Sequence, residues 1–169
     1  RTAELNRRLT ELRAAQADLQ ESREYLATVF NSINDALFIH DAGTFRVLDV
    51  NRRMLDMYGY ESREEAIAAF NAMSGGEPPF SMEDAFHWMT KARDEGPQVF
   101  EWRSLHRNGQ PFWVEISIRR QSIGSADRLI VTARDISERK LAEEDRRRIE
   151  RRIQEAQRLE SLGLLAGGI

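Results

Sequence analysis

The sequence predicts an α+β fold, an antiparallel sheet with short helices gathered on one side, held between two long helices. Three observations predict it. Two alternating β-type runs between Gln98 and Arg119 flank Arg107-Asn108-Gly109-Gln110, and Asn-Gly between alternating runs is a hairpin signal. The chain runs two strands, several short helices, then three strands, the order of an antiparallel sheet covered on one face. Both ends carry apolar residues at helical spacing among many charges.

At the N-terminus Leu5, Leu12, Leu19 and Leu26 recur every seven residues and Ile33 continues the row, with Leu9 and Phe30 in the intervening row. That is a coiled-coil seam, weakened where Gln16 and Arg23 interrupt its second row. A lone amphipathic helix lying on the domain is the alternative. Strands are expected at Ala36 to His40 and Phe45 to Val50, joined by a turn at Asp41-Ala42-Gly43. Asn51 is a suitable N-cap for a helix over Arg52 to Met57 that Gly59 ends, and Ser62-Arg63-Glu64-Glu65 reads as a capping box for a helix over Glu64 to Phe70. Asn71 to Phe80, with its Gly and Pro pairs, reads as a loop. Ser81 to Asp84 caps a helix that runs to about Asp94 and is closed by Gly96-Pro97, with Ala85, Trp88, Met89 and Ala92 as its apolar stripe.

The period of two in the central hairpin puts Phe100, Trp102 and Ser104 on one face, and Val114, Ile116 and Ile118 on one face of its second strand. These are the expected core rows. The other face carries Glu101, Arg103, Glu115 and the large ring of Trp113, which needs a cover from a helix of this chain or from a partner subunit. A last strand over Leu129 to Arg134 should turn Leu129, Val131 and Ala133 inward. Asp135, three residues before Glu138, has capping-box spacing and starts a helix straight from that strand. Leu141, Ile149, Ile153, Ala156, Leu159 and Leu162 then mark a second helical seam, with a change of phase near Asp145.

With 169 residues, 31% of them charged, the chain can bury one ordinary core and leaves exposed helices beside it. A net charge of −3 gives no electrostatic footprint for nucleic acid or an anionic membrane. The absence of Cys removes disulfides and thiolate chemistry and is compatible with a cytoplasmic protein. No apolar run approaches a membrane span, and both ends fall inside helical patterns, so the chain reads as a piece of a longer protein.

Taken together, Asn51, Gly59-Tyr60 before the capping box, Phe100-Glu101-Trp102, Arg107-Asn108-Gly109, Phe112-Trp113-Val114 and Asp135-Ile136-Ser137 resemble a PAS domain over roughly Leu26 to Lys140. Glu61 is interposed before Ser62, and Ser137 stands where that family usually has Thr. The run Gln157 to Ile169 resembles the start of the dimerisation helix of sensor histidine kinases and stops short of the phosphoacceptor His. These resemblances imply a PAS fold divided into a coiled-coil signalling helix (1–30), a sensor domain (31–137) and an output helix leading into a truncated dimerisation helix (138–169). They imply the sensory module of a two-component sensor histidine kinase, cytoplasmic and a parallel homodimer, with Leu5, Leu12, Leu19, Leu26, Ile149 and Ile153 in its seams. Its partners would be the kinase domain of the same protein, a response regulator and a small-molecule ligand. No catalytic residue of its own is expected. Asp135, Ile136 and Ser137 would couple sensing to output, since they lie where the last strand becomes the helix.

The expected pocket is bounded by Met54, Met57, Tyr58, Phe70, Trp88, Met89, Phe100, Trp102, Ser104, Val114 and Ile116, with a filled core as the alternative. His40, His87 and His106 lack metal-ligand spacing, so no metal is expected. Some PAS domains hold haem through a His in the region of the long helix, which makes His87 the candidate. A flavin adduct would need a Cys, and a non-covalent flavin would find chiefly Ser104 as a polar anchor. The expectation is therefore no cofactor, with a haem or flavin redox sensor and a ligand-free dimerisation module as the rival readings.

Overall fold

The computed structural model describes residues 1–167. Its elements in chain order are α1 (Thr2–Ser32), β1 (Ala36–Asp41), β2 (Val47–Val50), α2 (Arg52–Tyr58), α3 (Arg63–Ala68), a 3-10 turn (Phe70–Met73), α4 (Met82–Asp94), β3 (Gln98–Leu105), β4 (Pro111–Ile123), β5 (Ala126–Asp135) and α5 (Ser137–Gly167). The five strands form one antiparallel sheet in the order β2-β1-β5-β4-β3. This is the α+β arrangement expected, with a long helix at each end. Among the described residues no helix is long and apolar enough to cross a membrane.

The β3–β4 hairpin closes through a type I-like turn in which Gly109 N–H donates to His106 C=O, Gly109 has φ +83°, and His106 N–H pairs with Gln110 C=O. Asn-Gly therefore makes a three-residue loop with a glycine bulge instead of a two-residue turn. The second tight hairpin joins β4 to β5 through Gly124 and Ser125, with Gly124 at φ +64°. It extends both strands beyond the spans expected. The inner rows are as the alternation requires: Trp102, Ser104, Val114, Ile116, Ile118, Leu129, Val131 and Ala133 are all buried.

Three further boundaries differ from the sequence reading. Phe45 adopts φ +60° and accepts no place in the ladder, so β2 starts at Val47. Helix α3 stops at Ala68 and the chain tightens into the 3-10 turn, which buries Met73 inside what reads as a loop. Ile33 is extended, with ψ 130°, and so lies outside α1 and outside its heptad row.

The caps explain the short helices. Asn51 Oδ1 caps α2, and Gly59 at φ +81° ends it. Ser81 and Asp84 form the complete capping box of α4. Ser62 Oγ accepts from Glu65 N–H, but the Glu65 carboxylate reaches Glu61 N–H, one residue earlier than a capping box requires. The interposed Glu61 thus takes part in the cap.

Candidate functional site

Helix α2, the 3-10 turn and α4 lie over the inner face of the sheet and leave a pocket of about 60 Å³. Of the residues expected to bound it, Tyr58, Phe70, Met89, Phe100, Trp102, Ser104 and Ile116 do so. Met54, Met57, Trp88 and Val114 do not. Met54 is fully buried one turn before Tyr58, nearer the cap at Asn51, and Met57 lies round the helix from Tyr58, packed against the core. The Trp88 ring stacks on Phe100 with centroids 4.2 Å apart, so Phe100 is the pocket wall and Trp88 its outer support. Val114 is fully buried opposite Trp102 and Asp135, away from the pocket toward the start of α5.

The sequence reading missed Phe38, His40, Met73, Ser74, Ala85, Ile118 and Val131 as wall residues. The signal for two of them was available, because Ala36, Phe38 and His40 share one face of β1 by the period of two. His87, by contrast, is exposed on α4 and does not line the pocket. The imidazole at the pocket is His40.

Three polar groups punctuate the apolar wall. Tyr58 Oη and Ser104 Oγ are 3.0 Å apart and buried, and burial pushes the Tyr58 phenol up to about 12. His40 is fully buried, its Nδ1 lies 2.8 Å from Phe45 C=O, and burial lowers its pKa to about 4. Its Nε2 has no hydrogen-bonding partner among the described residues.

The same strands carry α5 on their outer face. Glu101, between the wall residues Phe100 and Trp102, pairs with Arg139 at 2.9 Å and with Lys140 of α5. The Lys140 hydrogen bond holds the Glu101 carboxyl below its ordinary range. Lys140 Nζ also lies 4.9 Å from the Trp113 ring, and Phe80 packs edge-on against both Trp113 and Trp102 at 5.5 Å. The cover that Trp113 requires thus comes from this chain. Ile136 N–H donates to Trp113 C=O, and Trp113 N–H donates to Ser137 Oγ at 3.3 Å. Asp135 Oδ1 accepts from Ser137 N–H at 2.9 Å, a bond two residues on instead of the capping box with Glu138 that the spacing suggested.

The N-terminal helix is fastened by Asn51. Its Oδ1 accepts from Leu37 and Met54 N–H, while its Nδ2 donates to Phe30 C=O at 3.2 Å and Asp35 C=O at 3.1 Å. Every polar atom of a fully buried amide is engaged. The seam residues Leu5, Leu12, Leu19, Leu26, Ile149 and Ile153 are all exposed in the single chain. The stretch resembling a kinase dimerisation helix is helical as far as Gly167, and its last two residues lie outside the described ones.

Residues 24–93 match a family model described as a PAS domain. A curated relative, the methyl sulfide methyltransferase-associated sensor of Methanosarcina acetivorans, is 31% identical over 132 residues, which is 78% of this chain. The matched part spans 13% of that relative's length. Among solved structures, the PAS domain of an HTR-like protein from Haloarcula marismortui is similar with TM-score 0.62 and 22% identity, covering 73% of this chain and 99% of the other. A PAS domain from a two-component sensor histidine kinase is similar with TM-score 0.56 and 20% identity, covering 69% and 97%. At these identities the two structures show the fold.

Proposed function

We propose that the chain, whose residues 24–93 match a PAS-domain model, is the cytoplasmic sensory module of a two-component sensor histidine kinase, a parallel homodimer that passes a signal at its pocket to the kinase through α5. One observation carries this reading. Strands β3 and β4 wall the pocket with Phe100, Trp102, Ser104 and Ile116, and through Glu101, Trp113 and Glu115 on their outer face they hold the first turn of α5. A change in pocket packing is thus one sheet thickness from the output helix. A ligand biases that helix only by its differential affinity for the two arrangements.

The dimer and the kinase are supported by the exposed apolar rows of α1 and α5 and by the resemblance of the sequence from Gln157 to Ile169 to a kinase dimerisation helix. The partners are then the kinase domain of the same protein and its response regulator. The pocket, at about 60 Å³, suits a molecule far smaller than haem or flavin, which favours a small ligand over a redox cofactor.

The test joins α5 in frame to a histidine kinase catalytic region. Ser104→Leu, which fills the pocket, and Asp135→Asn, at the helix junction, are each expected to change autophosphorylation in a protein that remains folded and dimeric. Unchanged autophosphorylation in both variants contradicts the reading.

A further inference from the structure

We propose that the pocket selects a small uncharged molecule of the short-chain alcohol class, whose hydroxyl donates a hydrogen bond to His40 Nε2. The proposal rests on the reading of the pocket as a ligand site and adds the chemistry of what it takes. The carbonyl oxygen of Phe45, 2.8 Å from His40 Nδ1, can only accept, so Nδ1 carries the ring hydrogen. Nε2 of the neutral ring then presents a bare lone pair. The ring is fully buried and lines the pocket, and Nε2 has no partner among the described residues. A buried acceptor without a hydrogen is destabilising, and a ligand that supplies the hydrogen removes that penalty. Burial, which lowers the pKa of His40 to about 4, keeps this acceptor available at neutral pH.

The remaining walls narrow the class. Tyr58 Oη and Ser104 Oγ share one hydrogen between them, which leaves that pair one hydroxyl hydrogen to offer. A ligand hydroxyl matches an acceptor and a donor with a single group. Among the described residues no Asp, Glu, Lys or Arg lines the pocket, so a charged ligand would be buried without a counter-ion. The rings of Phe38, Phe70, Phe100 and Trp102 favour a short apolar tail. A volume of about 60 Å³ is on the order of two water volumes, so only a molecule of a few heavy atoms fits.

The experiment uses the intact chain labelled with ¹⁵N and two probes of equal heavy-atom count, n-propanol and acetone. Only the alcohol has a hydrogen to donate. Long-range ¹H–¹⁵N spectra report the His40 ring, and amide shifts of pocket residues report binding of either probe. The expected result is saturable binding of n-propanol with a shift of the His40 Nε2 resonance in the direction of hydrogen-bond acceptance. Acetone should bind about tenfold more weakly, the discrimination of one hydrogen bond to a group otherwise left bare. His40→Asn, which keeps a short donor toward Phe45 C=O and removes the distal acceptor, should reduce n-propanol to the level of acetone. Should that variant not fold, the Nε2 shift of the wild-type ring decides by itself. Equal binding of the two probes would overturn the donor rule and leave the pocket as a ligand site. Saturable shifts from neither probe would overturn both, the site then holding water alone.

Discussion

The guanidinium of Arg134 holds the carboxylate of Asp35 through two hydrogen bonds of 3.1 and 2.9 Å. Asp35 follows the end of α1 and Arg134 is one residue before Asp135, so the pair joins the places where the chain enters and leaves the sheet. The partner carboxylate raises the Arg134 pKa further. Arg134 is 64% exposed and Asp35 24%, so solvent screens the pair and its stabilisation is small. A double-mutant cycle of Asp35→Asn and Arg134→Gln in denaturant should return a small favourable coupling. A coupling indistinguishable from zero would show that the two ends are not linked through this pair.

Asn51→Ala should destabilise the domain by about 3 kcal/mol or more, because two buried amides and two carbonyls lose their partner at once. Asn51→Asp keeps the two accepted bonds and loses the two donated ones. Hydrogen exchange over residues 30–35 should then rise more than over α2, whose cap is retained.

The pH dependence should carry the mark of His40. Its pKa falls from 6.5 unfolded to about 4 folded, so the unfolded chain binds a proton that the native one refuses. The contribution is fully present above pH 6.5, is lost as pH falls through the window toward 4, and levels off below it. The loss amounts to about 3 kcal/mol at most. Denaturant midpoints between pH 7 and 4.5 should drop in the wild type and drop less in His40→Asn.

Gly59→Ala should cost about 1–3 kcal/mol. A Cβ there would lie 2.3 Å from the His106 ring, and φ is +81°, a left-handed value that side chains disfavour. Chemical denaturation measures it, and a change below about 0.5 kcal/mol would contradict the account.

Charged replacements at Leu12 and Leu19 should weaken self-association, since each removes an exposed apolar seam residue from two chains. Sedimentation equilibrium showing an unchanged dimer would place the interface elsewhere.

Periodicity made much of this fold legible. The capping box of α4, the cap at Asn51 and the inward rows of β3, β4 and β5 follow from spacing and local hydrogen-bonding chemistry. The pocket was legible in part on the hairpin and on the helical segments that face it, hence Tyr58, Phe70, Met89, Phe100, Trp102, Ser104 and Ile116. It was not legible where strands distant in sequence meet: Val131 comes beside Phe38 only through the β1–β5 pairing, and Met73 is buried by a 3-10 turn inside a stretch rich in loop residues. Phe45 at φ +60°, whose carbonyl fixes the tautomer of His40, carries no sequence signal.

If packing in the pocket is transmitted to α5, a label on that helix must report it. The natural chain has no Cys, so Arg152→Cys on the exposed surface of α5 provides one spin-label site per protomer. Distance distributions between the two labels of the dimer, measured with Ser104 intact and with Ser104→Leu filling the pocket, test that transmission directly. Filling the pocket is expected to shift the mean or the relative weights of the distribution. Superimposable distributions from two folded, dimeric proteins would contradict it.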